Sequence, residues 1–222
     1  MGQGGAGKST FTNALLAGHS LRKMNIGHSG SLQACTIAVD HEILDAARVR
    51  SVRERDAKVD YRLVLVDTPG FNSLDKNDSS VLNDIATWSN ILPEGGCRGG
   101  IVFLHNLESN ECIRDSDLIA LETRLQTVIA TTKWRYCGSE GDTYHNARVR
   151  GWRAASVKAQ VHEFRDPKKG DDAWGIVNDL LAQIEGRDNV DFHGTFSALK
   201  ARQQKKEKKR RSLWGKFLAL WK

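Results

Sequence analysis

The stretch Gly2-Gln3-Gly4-Gly5-Ala6-Gly7-Lys8-Ser9 governs the interpretation of the whole sequence. It fits the pattern G-x-x-x-x-G-K-[ST] at every fixed position. Its glycines let the backbone curve, so that N–H groups surround a polyphosphate, while Lys8 adds a cation and Ser9 is placed to ligate Mg²⁺. The pattern predicts a phosphate-binding loop, which comprises Gly2, Gly4, Gly5, Ala6, Gly7, Lys8, Ser9 and Thr10.

The residues after this loop support the prediction, whereas the preceding strand that such a loop requires is not found. The apolar helix expected from Lys8 onward directs its positive dipole end at the same phosphates. A merely flexible glycine-rich start is the alternative, and it does not account for Lys-Ser in register. Such a loop normally follows a buried strand, yet only Met1 precedes Gly2, so we expect the first strand to be missing.

Apolar runs and helical periodicity predict strands that alternate with helices along the chain. The predicted strands are 34–44, 62–66, 100–105, 128–132 and 161–164, and the predicted helices are 80–92, 115–125, 146–157 and 173–184. This alternation predicts an α/β fold of three layers, with a mainly parallel sheet covered by helices on both faces.

Composition and charge narrow the class of protein. The 222 residues are 40% hydrophobic and 27% charged, four cysteines are scattered, and no long apolar run occurs, which favours a cytoplasmic globular protein. Residues 187–222 hold eleven Lys or Arg against three acidic residues, whereas residues 1–186 hold 22 basic and 24 acidic ones. We therefore predict a body at 1–186 without a nucleic-acid surface and a basic tail at 187–222.

A second motif, Asp67-Thr68-Pro69-Gly70, follows the apolar run 62–66. Asp67 would then lie at the carboxyl edge of the sheet, where an aspartate can hold magnesium through a water molecule. Gly70 can offer its backbone N–H to a γ-phosphate because it has no side chain to obstruct the approach. Alone the motif is common turn chemistry, but its place after a buried strand favours a ligand site.

The two motifs together resemble those of the GTPases related to the translation factors, and among them the immunity-associated (GIMAP-type), chloroplast-import (Toc-type) and septin-like group. Most specifically, the chain resembles the fungal G-domain proteins. The residues that carry this resemblance are His28, Ser29, Leu32, Cys35, Thr36, Phe71, Leu104, His105, Thr131, Thr132 and Trp134. The resemblance covers residues 1–186 and implies a P-loop G domain that binds GTP or GDP with Mg²⁺.

The resemblance also implies roles for single residues. Thr36 matches the switch threonine that contacts magnesium and the γ-phosphate, which gives Ser9, Thr36 and Asp67 as metal ligands; an ordinary strand threonine is the alternative. Phe71 stands where small signalling GTPases carry the glutamine that orients water, so slow hydrolysis is expected. No catalytic residue is assigned, and a second copy docked through the nucleotide face could supply the missing group.

The base-binding pattern departs from the family. Thr132-Lys133-Trp134-Arg135 keeps the lysine of [NT]-K-x-D but has Arg135 where an aspartate would accept hydrogen bonds from guanine. Thr132, Lys133 and Trp134 are the predicted base-binding residues, with Trp134 either stacking on the base or serving as a core residue. By its order along the chain, the region 164–165 is expected to provide the next base-contacting loop.

The tail combines a basic run at 205–211 with an apolar helical face. That face consists of Leu213, Trp214, Phe217, Leu218 and Trp221. Residues 205–222 therefore predict a peripheral anchor on an anionic membrane surface, with packing on the body, a protein contact or nuclear import left open. The chain as a whole is interpreted as a slow GTP-binding switch, and the alternative is a degenerate G-domain scaffold that does not hydrolyse nucleotide.

Overall fold

The computed structural model describes residues 1–17, 21–26, 36–45, 62–73, 75–94, 96–108, 125–168 and 170–219. The described strands are β1 (Asp40–Asp45), β2 (Arg62–Asp67), β3 (Gly100–Asn106), β4 (Gln126–Thr132) and β5 (Gln160–Glu163). The described α-helices are α1 (Lys8–Leu15), α2 (Asp78–Trp88), α3 (Gly141–Ala154), α4 (Asp171–Ile184) and α5 (Phe192–Ala219). The protein is therefore an α/β protein.

The strands form two sheets within the described residues. β3, β4 and β5 are parallel in that order, with Phe103 opposite Ile129 and Ile129 opposite Val161. β1 and β2 form a separate antiparallel pair in which Asp40 lies opposite Asp67. The parallel sheet agrees with the predicted alternation of strands and helices.

Residues 1–3 lie between β3 and the segment that follows β2. Gly2 bridges Leu104 and Gln3 bridges Phe71, both in parallel orientation. Backbone hydrogen bonds fix this position: Leu104 N donates to Met1 O at 2.8 Å, and Phe71 N donates to Gly2 O at 3.1 Å. The first loop residues, Gly2 and Gln3, thus pair through two isolated bridges at the place where the sequence predicted that the strand is missing.

Helices pack on both faces of the parallel sheet because its strands are apolar on both sides. One cluster joins Leu104 and Val128 to α1 and α4, through residues such as Phe11 and Ile176. The other cluster joins Ile101, Phe103 and Ile129 to α2, α3 and α5. Phe71 belongs to this second cluster, so the core is built directly against the segment that follows Asp67.

The first predicted strand, 34–44, is wrong in its bounds: Thr36 to Val39 precede β1, which is the antiparallel strand Asp40–Asp45. Thr36-Ile37-Ala38-Val39 has strand propensity, but only the register with β2 decides where pairing begins. The other four predicted strands and the helices predicted at 80–92 and 173–184 match described elements within four residues, and the helix predicted at 146–157 corresponds to α3, which begins five residues earlier. Residues 115–124 of the predicted helix 115–125 and the resemblance residues His28, Ser29, Leu32 and Cys35 lie outside the described residues.

Helix α5 extends the predicted body. Its first turns pack on α2, where Phe196 and Leu199 are both 4% exposed and Lys200 Nζ donates to Asn83 Oδ1 at 2.6 Å. Farther along, the basic residues from Lys205 to Lys209 are solvent-exposed. Within the described ranges, no helix combines the length and apolar character needed to cross a membrane.

Candidate nucleotide-binding site

The glycine-rich loop bends because its glycines adopt left-handed backbone angles. Gly5 has φ 72° and Gly7, which precedes α1, has φ 85°, a region that residues with a Cβ rarely adopt. Ala6 N donates to Gln3 O at 3.2 Å, and Gly4 N donates to Phe71 O at 2.9 Å. The loop, which leads into α1, is therefore closed on itself and attached to Phe71, the residue that directly follows the Asp67–Gly70 segment.

Lys8 is buried inside this bend, with 8% of its surface exposed. Its ammonium donates to Gln3 O at 2.7 Å, and burial lowers the pKa of Lys8 from 10.5 to about 8, against the opposing effect of Asp67. Keeping a cation there costs free energy unless anions surround it. The Lys8 side chain is thus held in a position that an anionic ligand would stabilise.

The three predicted metal ligands lie together. Ser9 Oγ donates to Asp67 Oδ2 at 2.6 Å and lies 3.0 Å from Thr36 Oγ1. Ser9 belongs to α1, whereas Thr36 precedes β1 and Asp67 ends β2. Thr36 and Asp67 lie 27 and 58 positions after Ser9 along the chain. The structure therefore brings together side chains that the sequence connects only through a pattern.

Asp67 leaves one oxygen for a ligand. Its side chain is 2% exposed, and its Oδ1 is buried without a hydrogen-bond partner among the described residues. A buried carboxylate oxygen without a partner is costly, because it has lost its hydration. Hard oxygen donors of this kind suit Mg²⁺, which takes one or two carboxylates and completes its shell with water and phosphate oxygens. The Ser9, Thr36 and Asp67 oxygens therefore fit a magnesium ion.

The site offers magnesium only a few protein oxygens, which is typical of a magnesium ion that is bound together with phosphates. Among the residues described, no group of three His, Cys, Asp or Glu side chains could hold a metal by itself. A magnesium ion here would need the phosphates of a nucleotide to complete its shell.

Gly70 lies against the phosphate loop. A Cβ on Gly70 would stand 2.6 Å from both N and Cα of Gly4, so only glycine fits without a backbone shift. Thr10, the last residue of the predicted loop, is half-buried in the first turn of α1. We call the set formed by residues 2–10, 36, 67 and 70 the phosphate end of the site.

The base end consists of residues 132–135 and Arg165. Thr132 Oγ1 lies 2.9 Å from Ala6 O and 3.2 Å from His105 O, and its single O–H can donate to either. Lys133 has φ 65°, and its ammonium lies 5.3 Å from the centre of the Tyr136 ring. Thr132 thus connects the two ends of the site.

Trp134 is 7% exposed, and its indole Nε1 donates to Thr131 O at 2.9 Å. The Arg165 guanidinium lies 3.9 Å from the centre of its ring, which makes a cation–π contact. Arg165 is itself held at 2.6 Å by both Asp142 and Glu163. The structure therefore brings the predicted region 164–165 to Trp134, and base stacking by Trp134 stays a prediction.

Arg135 occupies an exposed position at this end. Its guanidinium lies 4.6 Å from the centre of the Tyr136 ring and donates to the Tyr136 hydroxyl. A guanidinium has no acceptor, so Arg135 cannot take the two hydrogen bonds that an aspartate would accept from guanine.

Two side chains near the site were not identified from the sequence. His145 Nδ1 lies 3.1 Å from Thr131 Oγ1, and Lys76 Nζ donates to Ile37 O at 3.1 Å, directly beside Thr36. Lys76 and Ile37 are 39 positions apart, and neither belongs to a motif. No sequence signal could have paired them.

In comparisons with known proteins, no protein-family model matches this sequence and no curated protein matches it. The resemblance to G-domain proteins therefore stays a prediction, supported by the residues quoted for it and by the geometry of the phosphate end.

Proposed function

We propose that this protein is a P-loop nucleotide-binding protein of the G-domain type that binds GTP or GDP with Mg²⁺ and hydrolyses GTP slowly. One observation carries the proposal: Ser9, Thr36 and Asp67 meet within 3.0 Å contacts beside the glycine-rich loop, and a buried Asp67 oxygen has no partner among the described residues. Packing alone gives no reason to place two half-buried hydroxyls beside a buried carboxylate and the buried Lys8.

Each group at the phosphate end has a role in this proposal. The loop amides and Lys8 bind the phosphate chain, with the dipole of α1 adding to their attraction. Ser9 and Thr36 would provide oxygens to magnesium, Thr36 would also contact the terminal phosphate, and Asp67 would hold the ion directly or through water. Gly70 offers its N–H toward the terminal phosphate. A bound Mg²⁺ would neutralise charge on the phosphate oxygens.

Slow hydrolysis follows from Phe71. Its side chain is 1% exposed and packs in the core with Val81 and Leu82, so it cannot orient a water molecule at a terminal phosphate. A second copy that docks on the nucleotide face is the proposed source of the missing group, since an arginine provided in this way accelerates hydrolysis by about 10³–10⁵.

The experiment is a thermal unfolding series with Mg²⁺ and GTP, GDP or ATP. Nucleotide at about one hundred times its dissociation constant should stabilise the protein by roughly 2.7 kcal/mol, and Lys8→Ala or Ser9→Ala should remove the effect. Lys200→Ala, on α5, is the matched control and should keep it.

The competing function is a scaffold that binds no nucleotide. Arg135 favours this alternative because it stands where an aspartate would recognise guanine. If no nucleotide shifts the unfolding temperature, the scaffold interpretation replaces this proposal. If ATP stabilises the protein more than GTP does, the site is a nucleotide site without guanine preference.

A further inference from the structure

Lys76 connects two elements that flank the phosphate end. It lies one residue before Asn77, the N-cap residue of α2. Its ammonium donates to the carbonyl oxygen of Ile37 at 3.1 Å and forms an ion pair with Asp84 of α2. The side chains of Lys76 and Asp84 are 28% and 29% exposed, so the pair is partly shielded from solvent. One side chain thus joins the segment before β1 to α2.

The point of attachment is next to a proposed magnesium ligand. Ile37 directly follows Thr36, whose hydroxyl lies 3.0 Å from Ser9 Oγ. Lys76 also lines a small cleft together with Thr36, Pro69 and Gly70. The position of Lys76 therefore bears on Thr36 and Gly70, the two residues proposed to contact the terminal phosphate.

The Thr36–Ile37 segment gains little from packing. The Ile37 side chain is 73% exposed, so burial of apolar surface cannot hold the segment in place. Its attachment to Lys76 uses a main-chain carbonyl and therefore fixes the backbone itself. When a ligand-binding segment is already fixed in the free protein, less conformational entropy is lost on binding.

We propose that Lys76 is a positioning residue for the terminal phosphate: by fastening Ile37 to Asp84, it holds Thr36 beside Ser9, so that the protein prefers nucleoside triphosphates over diphosphates. The inference rests on the proposed function. It assigns no chemistry to Lys76 itself, which acts through Thr36.

The rival explanation is an ordinary surface ion pair, which contributes little to stability and nothing to ligand choice. The two explanations differ in what they predict for the γ-phosphate. A surface pair affects diphosphate and triphosphate binding equally. A positioning residue affects the triphosphate more, because only there does Thr36 contact the terminal phosphate as well as magnesium. The ratio of the two affinities therefore separates them.

The test measures dissociation constants of the full chain for GDP and for a non-hydrolysable GTP analogue, both with Mg²⁺. Lys76→Met keeps the aliphatic stem and removes the charge. It should weaken binding of the analogue by about tenfold and change GDP binding less than about twofold, since a lost charge-assisted hydrogen bond corresponds to about one order of magnitude. Lys76→Arg should restore most of the preference.

Two further variants make the result specific. Lys200→Met removes a second lysine that contacts α2, through Asn83, and should leave both affinities unchanged. Asp84→Asn should weaken the analogue in the same direction as Lys76→Met, and the double variant should be no weaker than Lys76→Met alone, because both act on one connection.

The outcomes distinguish the two proposals. If wild-type protein binds neither nucleotide, the proposed function fails and this inference falls with it. If wild-type protein binds both and Lys76→Met shifts neither affinity, or shifts both equally, only the role of Lys76 is overturned. Retained GDP binding in the variant shows in the same experiment that it is folded.

Discussion

The phosphate end and the base end of the site use different kinds of group. At the phosphate end, the groups proposed to bind the ligand are backbone amides and the Ser9, Thr36 and Asp67 oxygens, and short hydrogen bonds hold these three side chains together. At the base end they are long side chains stacked on one another, such as Arg165 on Trp134. The proposed phosphate contacts therefore combine backbone groups with a few side chains such as Lys8 and Ser9, whereas the proposed base selection depends on side chains alone, such as Arg135.

The largest expected effect comes from breaking the phosphate end. Lys8→Met should weaken nucleotide binding about a hundredfold, because a charge-assisted contact to phosphate is lost. The same change should stabilise the ligand-free protein at pH 7 by roughly 1–3 kcal/mol, since a buried cation is removed and Gln3 O keeps the Ala6 N–H. Calorimetric titration and denaturant unfolding measure the two effects. Unaltered nucleotide affinity would refute the assignment of Lys8.

The pH dependence of Lys8 gives an independent check. Its pKa is about 8 in the folded protein and 10.5 unfolded, so the unfolded chain holds the extra proton between these values. Stability of the ligand-free protein should therefore rise with pH from 8 to 10.5, by roughly 3 kcal/mol at most. Subtracting the Lys8→Met profile isolates this rise, and an identical slope in both proteins would contradict it.

The protein should lose stability in acid because of His105, whose carbonyl oxygen lies 3.2 Å from Thr132 Oγ1 between the two ends of the site. His105 is 1% exposed, and burial, reinforced by the charge of Arg148, lowers its pKa from 6.5 to about 4. The unfolded chain binds the proton first, so stability is lost as pH falls from 6.5 toward 4, by roughly 3 kcal/mol. His105→Phe, which keeps a ring against Trp152, should flatten this part of the profile. Urea unfolding at a series of pH values measures it.

A substitution at the base end should have a smaller effect, limited to the choice of nucleotide base. Arg135→Asp should raise the preference for GTP over ATP by about tenfold, because a carboxylate accepts the hydrogen bonds that guanine donates. Competition binding with the two nucleotides measures the ratio. Arg153→Asp, an equal charge change in the last turn of α3, should leave the ratio unaltered. If both variants change the ratio of GTP to ATP affinity equally, the effect comes from net charge and not from contact with the base.

The smallest effect on the site should come from the tail. Trp214→Ser combined with Phe217→Ser should reduce sedimentation of the full chain with anionic vesicles several-fold, since the basic run at 205–211 supplies attraction and the apolar face supplies insertion. High salt should reduce it further, because such attraction is screened within about 8 Å at physiological ionic strength. Nucleotide affinity should not change. Lost stability of the body would instead identify the tail as a packing element.

Much of the fold follows from local pattern. The apolar runs at β3 and β4 are fixed by burial on both faces of the sheet, and the helical spacing in α2 and α4 by burial of one face of each helix. The run before Asp67, predicted as a buried strand, instead forms the partly buried strand β2, which pairs antiparallel with β1. The strand predicted at 34–44 is present only from Asp40 onward, because β-propensity at Thr36–Val39 does not determine register. Its true limits depend on pairing with β2.

The sequence by itself determined the motifs of the phosphate end: glycines with a lysine and serine in register, and an aspartate closing a strand, form a pattern typical of phosphate binding. Only the tertiary structure decided the rest. It brought Thr36 to Ser9, laid Arg165 on Trp134, joined Lys76 to both Ile37 and Asp84, and packed α5 on α2. These contacts join residues far apart in the chain, and their partners are selected by the packing of whole elements, which no local pattern encodes.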